Sequence, residues 1–158
     1  MRRKLALVSA LMIAGLWLWN ASLFHRPPAG TTPQLIAHRG LAQTYSREGL
    51  TNETCTAARI HAPEHQYLEN TIASMAAAFD LGAAVVELDV HQTPDGSFAV
   101  FHDWTLDCRT EASGVTHETP MSVLETLDIG YGYTADSGTT YPFRGEFVGA
   151  MPTLTEVF

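Results

Sequence analysis

Apolar and polar positions divide the chain into one long apolar run, a short polar bridge, and a body in which brief apolar stretches alternate with turn residues. Residues 5–24 carry no charge, and Arg2, Arg3 and Lys4 precede them. A helix of that length spans about 30 Å, the thickness of a bilayer core. The pattern predicts a transmembrane anchor over residues 1–25, with its basic end in the cytoplasm and the body on the extracytoplasmic side. Trp17 and Trp19 suit the membrane interface. The alternative is a cleaved signal peptide, which would release a secreted body; such peptides have a shorter apolar core and a small-residue cleavage site, and no Ala-x-Ala follows this run. Residues 26–33 hold three prolines and read as a linker.

Within residues 34–158 the first apolar stretch, 34–38, reads as a strand that ends at His38. A polar segment follows, from Gly40 to about Leu68, longer than most unstructured loops. Asn70 or Thr71 then caps a helix whose Ile72, Met75, Ala76 and Phe79 recur with the spacing of one buried face, and Gly82 stops it. Residues 84–90 predict a second strand, in which Val86, Leu88 and Val90 face one way and Glu87 and Asp89 the other. Thr93-Pro94-Asp95-Gly96 is a turn, because proline presets φ and glycine supplies a positive one. Residues 97–102 form a third strand, closing on His102. Beyond it lie a short helical stretch at 121–127, a Gly- and Tyr-rich loop at 131–147, and a Thr-x-x-Glu capping box at Thr153–Glu156. The chain stops at Phe158, inside the first turn of that last helix, so it reads as the N-terminal part of a longer domain. Strand, helix, strand, turn and strand in that order predict an α/β fold. In a βα barrel the chemistry gathers at the C-terminal ends of the strands.

Charge narrows the partners. Three of the nine basic residues lie at the N-terminus, which leaves six against 17 acidic residues, a net charge of −11 in the body. Such a surface argues against nucleic acid and against anionic lipid as charge-driven partners. Lys4 is the only lysine, so the body has none for a Schiff base or a Walker-type phosphate loop. Cys55 and Cys108 are the only cysteines; outside the cytoplasm they can pair, and otherwise they stand as two free thiols.

The candidate chemistry sits at the strand ends. Two neighbouring carboxylates, Glu87 and Asp89, repel unless a cation neutralises them, which suits a hard divalent metal with oxygen ligands. His38 and His102 can supply a general base and a general acid near neutral pH. Arg39 is suited to bidentate recognition of phosphate. Glu69 stands where an acid is favoured at a helix N-terminus or beside the site. Asp103 follows His102 and could orient it, His91 lies close behind Asp89, and Asp107 and Arg109 read as structural flanks of Cys108. Metal, acid, base and guanidinium together suggest hydrolysis of a phosphate ester.

His38-Arg39-Gly40, Glu69-Asn70-Thr71, Glu87-Leu88-Asp89-Val90 and His102-Asp103, in that order, resemble the glycerophosphodiester phosphodiesterase family. The resemblance covers residues 34–158 and includes Pro152-Thr153-Leu154. It implies a TIM barrel, present here only in its N-terminal part. It also implies hydrolysis of small-molecule glycerophosphodiesters to sn-glycerol 3-phosphate and an alcohol, with a divalent ion, Ca²⁺ or Mg²⁺, as cofactor. Carried over by motif, His38 and His102 are the acid–base pair, Arg39 contacts the phosphate, Glu87 and Asp89 are metal ligands, and Glu69 lines the site or joins the metal shell. A further glutamate and a lysine of the pattern fall on later strands. The segment between Gly40 and Glu69 is longer than in the simplest members. Two other readings stay open: a related barrel phospholipase, of phospholipase C or sphingomyelinase D type, and an inactive membrane-anchored binding module.

Overall fold

A computed structural model describes residues 2–21 and 32–158, and the chain divides into two compact units, Met1–Pro33 and Gln34–Phe158. The first unit holds helix α1, Arg2–Asn20. Its described uncharged part, residues 5–20, is about 24 Å long at 1.5 Å per residue. Among the described residues no helix is long and apolar enough to cross a membrane. The expected transmembrane anchor over residues 1–25 is therefore not supported by the described part of the helix. The rest of the expected span, 22–24, and residues 26–31 of the expected linker lie outside the described residues.

The second unit opens with β1, Ile36–His38, which pairs in parallel with β2, Val85–Glu87, in the register Ile36↔Val85 and His38↔Glu87. Parallel neighbours need a crossover, and α2, Ile72–Asp80, supplies its helix. Thr71 caps α2 by accepting the Ser74 amide. The buried face of α2 is not the predicted one. Ser74, Met75 and Ala78 are buried, whereas Ile72 and Phe79 are 48% and 51% exposed. The stripe is rotated because the chain after β1 lies on the first turn of α2, against the backbone of Ser74 and Met75.

The predicted strand over 84–90 is two strands. After β2 the chain passes Leu88 and Asp89 and enters β3, Val90–Gln92, which pairs antiparallel with β4, Phe98–Val100. The break is imposed from another segment. The Asp89 amide is taken by the Asn70 side chain at 3.2 Å, so it is not available to a strand neighbour. The Thr93–Gly96 turn closes the β3–β4 hairpin, with Gly96 at φ +82°. Two short helices follow, α3 at Met121–Leu124 and α4 at Leu154–Val157. The capping box of Thr153 and Glu156 forms as the sequence predicts. Val100 donates to the Pro152 carbonyl at 2.9 Å, which ties the start of α4 to β4.

Two apolar clusters hold this unit. Ala99, Phe101, Leu106, Met121, Leu124, Leu127, Ile129 and Met151 form one. Ala57, Ile60, Leu68, Tyr133 and Phe143 form the other. The second draws three residues from the polar segment, so that segment is anchored rather than free. A bridge between Tyr45 and Ile60 and a buried Gln43, which donates to the His65 and Tyr67 carbonyls, fix its course. A disulfide joins Cys55 of this segment to Cys108, with 5.5 Å between their α-carbons.

Candidate active site

Apart from Glu69, which lies in the turn before α2, each candidate residue lies at or just past the C-terminal end of a strand, where backbone groups are released from the ladder and side chains can converge. His38 ends β1 and Glu87 ends β2. Their register pairing places them side by side, and His38 Nε2 lies 3.7 Å from Glu87 Oε2. Both side chains are largely solvent-exposed.

Arg39 and Gly40 then leave β1 through two consecutive left-handed residues, at φ +64° and +78°. Glycine is required at the second position. A β-carbon on Gly40 would lie 2.5 Å from Ser74 Oγ and 2.8 Å from the Ser74 carbonyl carbon. A non-glycine residue with this backbone costs about 1–3 kcal/mol and persists where the surroundings hold it. Arg39 is held by its amide donating to the Glu87 carbonyl at 2.8 Å and by its own carbonyl accepting the Asn70 amide at 2.9 Å. Its guanidinium reaches Glu69, with Nη1 to Oε1 at 3.0 Å, and Asp89, with Nε to Oδ2 at 2.8 Å. The second contact is an ion pair only, because the buried Nε–H has no aligned acceptor.

Asp89 is further fixed by Asn70, whose amide nitrogen donates to Oδ2 at 3.1 Å. Asn70 is buried and itself left-handed, at φ +59°, a conformation asparagine tolerates better than most residues. Glu69 is buried between two arginines: Oε1 meets Arg39 and Oε2 lies 3.3 Å from Arg109 Nη1.

His102 lies two residues beyond β4, 41% exposed at its side chain, with Nδ1 2.6 Å from Asp103 Oδ1. Arg109 Nε donates to the other oxygen, Asp103 Oδ2, at 2.9 Å. Burial pushes the Asp103 carboxyl up, but the His102 hydrogen bond and the Arg109 charge outweigh it and hold it below the usual carboxylate range. Burial works against the charge on Arg109 too, yet Tyr133, Glu69 and Asp103 together raise its pKa, so it stays a cation. Burial raises the Tyr133 phenol, which remains a neutral partner of Arg109.

Arg39 and His102 share the wall of one groove of about 610 Å³, completed by Tyr45, Leu50, Trp104 and residues 51–56 of the polar segment. His38 and Glu87 are not among its walls. Trp104 is 70% exposed and is held edge-on between His91 and His117. His91 is buried, with Nε2 3.2 Å from the His102 carbonyl.

Among the described residues no three His, Cys, Asp or Glu side chains converge closely enough to hold a metal ion. Glu87 lies beside His38, and Asp89 meets Arg39 and Asn70 through Oδ2; Mg²⁺ is commonly bound by one or two such carboxylates, with water and substrate oxygens completing the shell. Glu69 is placed differently, because each of its oxygens already faces a guanidinium. Three participants escape the sequence patterns. Asn70 reads as a helix cap, Arg109 as a neighbour of a cysteine, and Tyr133 as one aromatic in a loop. Their signal is burial, which local spacing does not carry.

Parallel strands joined by a helix, with histidines, arginines and carboxylates at the strand ends, define an α/β protein that places its chemistry on the loops after its strands. Residues 38–158 match the glycerophosphoryl diester phosphodiesterase family, and the chain belongs to that family. A glycerophosphodiester phosphodiesterase of Caldanaerobacter subterraneus subsp. tengcongensis is 39% identical over 90 residues, 57% of this chain and 33% of that protein. One from Bacillus subtilis is 33% identical over 100 residues, 61% of this chain and 31% of that protein. Among solved structures, an Oleispira antarctica phosphodiesterase in complex with the product sn-glycerol-3-phosphate superposes with a TM-score of 0.50 at 31% identity, over 79% of this chain and 38% of that one. The corresponding domain of a Mycobacterium tuberculosis protein reaches 0.57 at 20% identity, over 80% of this chain and 39% of that one, a likeness of fold. The chain spans about a third of the length of the curated relatives it matches.

Proposed function

We propose that this chain carries the opening part of a TIM barrel that hydrolyses glycerophosphodiesters to sn-glycerol 3-phosphate and an alcohol. The observation that carries the reading is the convergence of Arg39 and His102 on one groove, with Arg39 in turn tied to the Glu87 carbonyl and the Asp89 carboxylate, in a chain of this family. Glu87 and Asp89 are the residues that would hold a divalent cation, Ca²⁺ or Mg²⁺. Bound there, the ion supplies positive charge to the phosphate oxygens. Arg39 neutralises charge developing on the phosphoryl group. His38 takes the proton of the attacking hydroxyl, which belongs either to the substrate's glycerol or to water. His102 gives a proton to the leaving alcohol. Asp103 accepts from Nδ1 of His102, which leaves Nε2 to carry the transferred proton. Glu69 spaces the two arginines rather than binding the ion.

The disulfide supports an oxidising, extracytoplasmic location for the body. Non-reducing peptide mapping of protein recovered from such a compartment is expected to find the linked Cys55 and Cys108 peptides, and both thiols alkylated there would count against it.

Release of sn-glycerol 3-phosphate from glycerophosphodiesters with different alcohols tests the reaction. Activity that disappears with a chelator and returns with Ca²⁺ or Mg²⁺ is the expected result. Activity unchanged after the Glu87→Gln, Asp89→Asn double substitution would refute the metal assignment.

A further inference from the structure

We propose that Arg109 is a positioning residue, and that its guanidinium decides which carboxylate oxygen is offered to His102 and which to Arg39. The inference rests on the reading of those two residues as acid and phosphate ligand. The five side chains Arg39, Glu69, Arg109, Asp103 and His102 form one strip in which a cation or a histidine alternates with a carboxylate. Its links are 3.0 Å from Arg39 Nη1 to Glu69 Oε1, 3.3 Å from Glu69 Oε2 to Arg109 Nη1, 2.9 Å from Arg109 Nε to Asp103 Oδ2, and 2.6 Å from Asp103 Oδ1 to His102 Nδ1. Arg109 is the centre of the strip and is only 3% exposed.

The division of oxygens carries the argument. Arg109 takes Oδ2 of Asp103 and lies against Oε2 of Glu69. That leaves Oδ1 for His102 and Oε1 for Arg39. A carboxylate held at one oxygen cannot rotate away from the partner at the other. Arginine is suited to this because its donors are fixed in one plane, whereas an ammonium is a point charge on a flexible stem. The guanidinium is in turn fixed from outside the strip. Nη2 donates to Thr56 Oγ1 at 3.0 Å, Nη1 donates to the Tyr133 hydroxyl, and the Tyr133 ring lies 5.3 Å from Cζ. Thr56 and Arg109 each directly follow a disulfide cysteine, so the Cys55–Cys108 bridge clamps donor and acceptor together. Taking charges out of water costs several kcal/mol per ion, and well-packed apolar residues of similar volume often stabilise as well or better. A buried arginine that sets the geometry of two site residues gives that cost a function.

The test reads His102 directly. Long-range ¹H–¹⁵N correlation of the imidazole in the ¹⁵N-labelled full chain, at a pH where His102 is neutral, reports which ring nitrogen holds the proton. The expected result for the unmodified chain is a majority protonated on Nδ1. In Arg109→Gln, with the disulfide intact and a native backbone amide spectrum, the majority is expected to shift to Nε2, as in free imidazole side chains. An unchanged ratio in that folded variant would overturn the proposal. If Arg109→Gln loses the native spectrum, Arg109→Lys decides, because it keeps the charge but not the planar fork. A shift toward Nε2 is expected there too, and the unmodified ratio would overturn the proposal. Loss of the native spectrum in both variants also overturns it, since Arg109 would then hold the fold and position nothing separately. Glycerophosphodiester turnover forms a second arm, in which Arg109→Lys should lower kcat with KM little changed. A chain that releases no sn-glycerol 3-phosphate defeats the functional reading while leaving the tautomer result standing.

Discussion

Arg39 and Gly40 show how much of the site depends on two backbone angles. Left-handed geometry at both lets the chain leave β1 and lie against α2 while the Arg39 guanidinium turns inward to Glu69 and Asp89. Gly40→Ala therefore meets both a strained backbone and the Ser74 backbone. We expect it to destabilise the chain by about 1–3 kcal/mol or more, read as a lower urea midpoint. An unchanged midpoint would mean the two-residue turn is not what seats α2. For the histidines, removal of a general acid or base costs about 10²–10⁴-fold in turnover, so His38→Ala and His102→Ala should each fall in that range. A leaving alcohol of low pKa needs little protonation, so an activated aryl ester should rescue His102→Ala. Rescue of His38→Ala instead would reverse the two roles.

At the scale of elements, the helix caps are the parts closest to local rules. The Thr71 side chain satisfies the Ser74 amide at the start of α2 and donates to the Leu68 carbonyl. Thr71→Ala should cost about 1 kcal/mol, measured by denaturant unfolding. It should also loosen Asn70 next door, and with it the hold on Asp89. An effect on stability with no change in the Asp89 amide shift would separate the cap from the site. The break between β2 and β3 is not local in this sense, since it is Asn70, 19 residues away, that claims the Asp89 amide a continuous strand would have used.

On the scale of the whole molecule, the polar segment and the region after β4 are held together by one covalent link. Cys55 and Cys108 are 53 residues apart in sequence. Closing a loop of that length is worth about 4 kcal/mol in the chain-entropy picture, so the Cys55→Ser, Cys108→Ser double substitution should lose stability on that scale. Equal urea midpoints for the two forms would show that the apolar cluster of Ala57, Ile60 and Leu68 suffices. Acid should act through the charged strip. The Asp103 carboxyl is held below its ordinary value of 3.8 in the folded chain. Its contribution is complete above that ordinary value and is lost as pH falls through the depressed one. Stability is thus expected to drop below about pH 4, and Asp103→Asn should flatten that part of the profile. A profile of the same slope in the variant would place the acid sensitivity on other carboxylates.

The sequence by itself determined the first strand, the helix, the turn and the last strand of the hairpin, because those signals are local: apolar runs, a capping threonine, the Pro94–Gly96 turn and the Thr153–Glu156 box; it merged β2 and β3 into one strand. It also singled out His38, Arg39, Glu87, Asp89 and His102 as candidate groups, since they interrupt or follow apolar runs. Its expectation of a membrane-spanning N-terminal helix finds no support among the described residues. It misjudged the buried face of α2, because periodicity finds a stripe of apolar residues but not what lies against it, and here the neighbour is the Gly40 backbone over Ser74. Only the tertiary structure decided that Glu69 faces two arginines, that Asn70 fixes Asp89, and that Arg109 links Glu69 to Asp103 across 34 residues or more of chain. These are contacts between distant segments, set by burial and by the competition of charged groups for a few oxygens. No spacing along a chain encodes which oxygen a buried guanidinium takes.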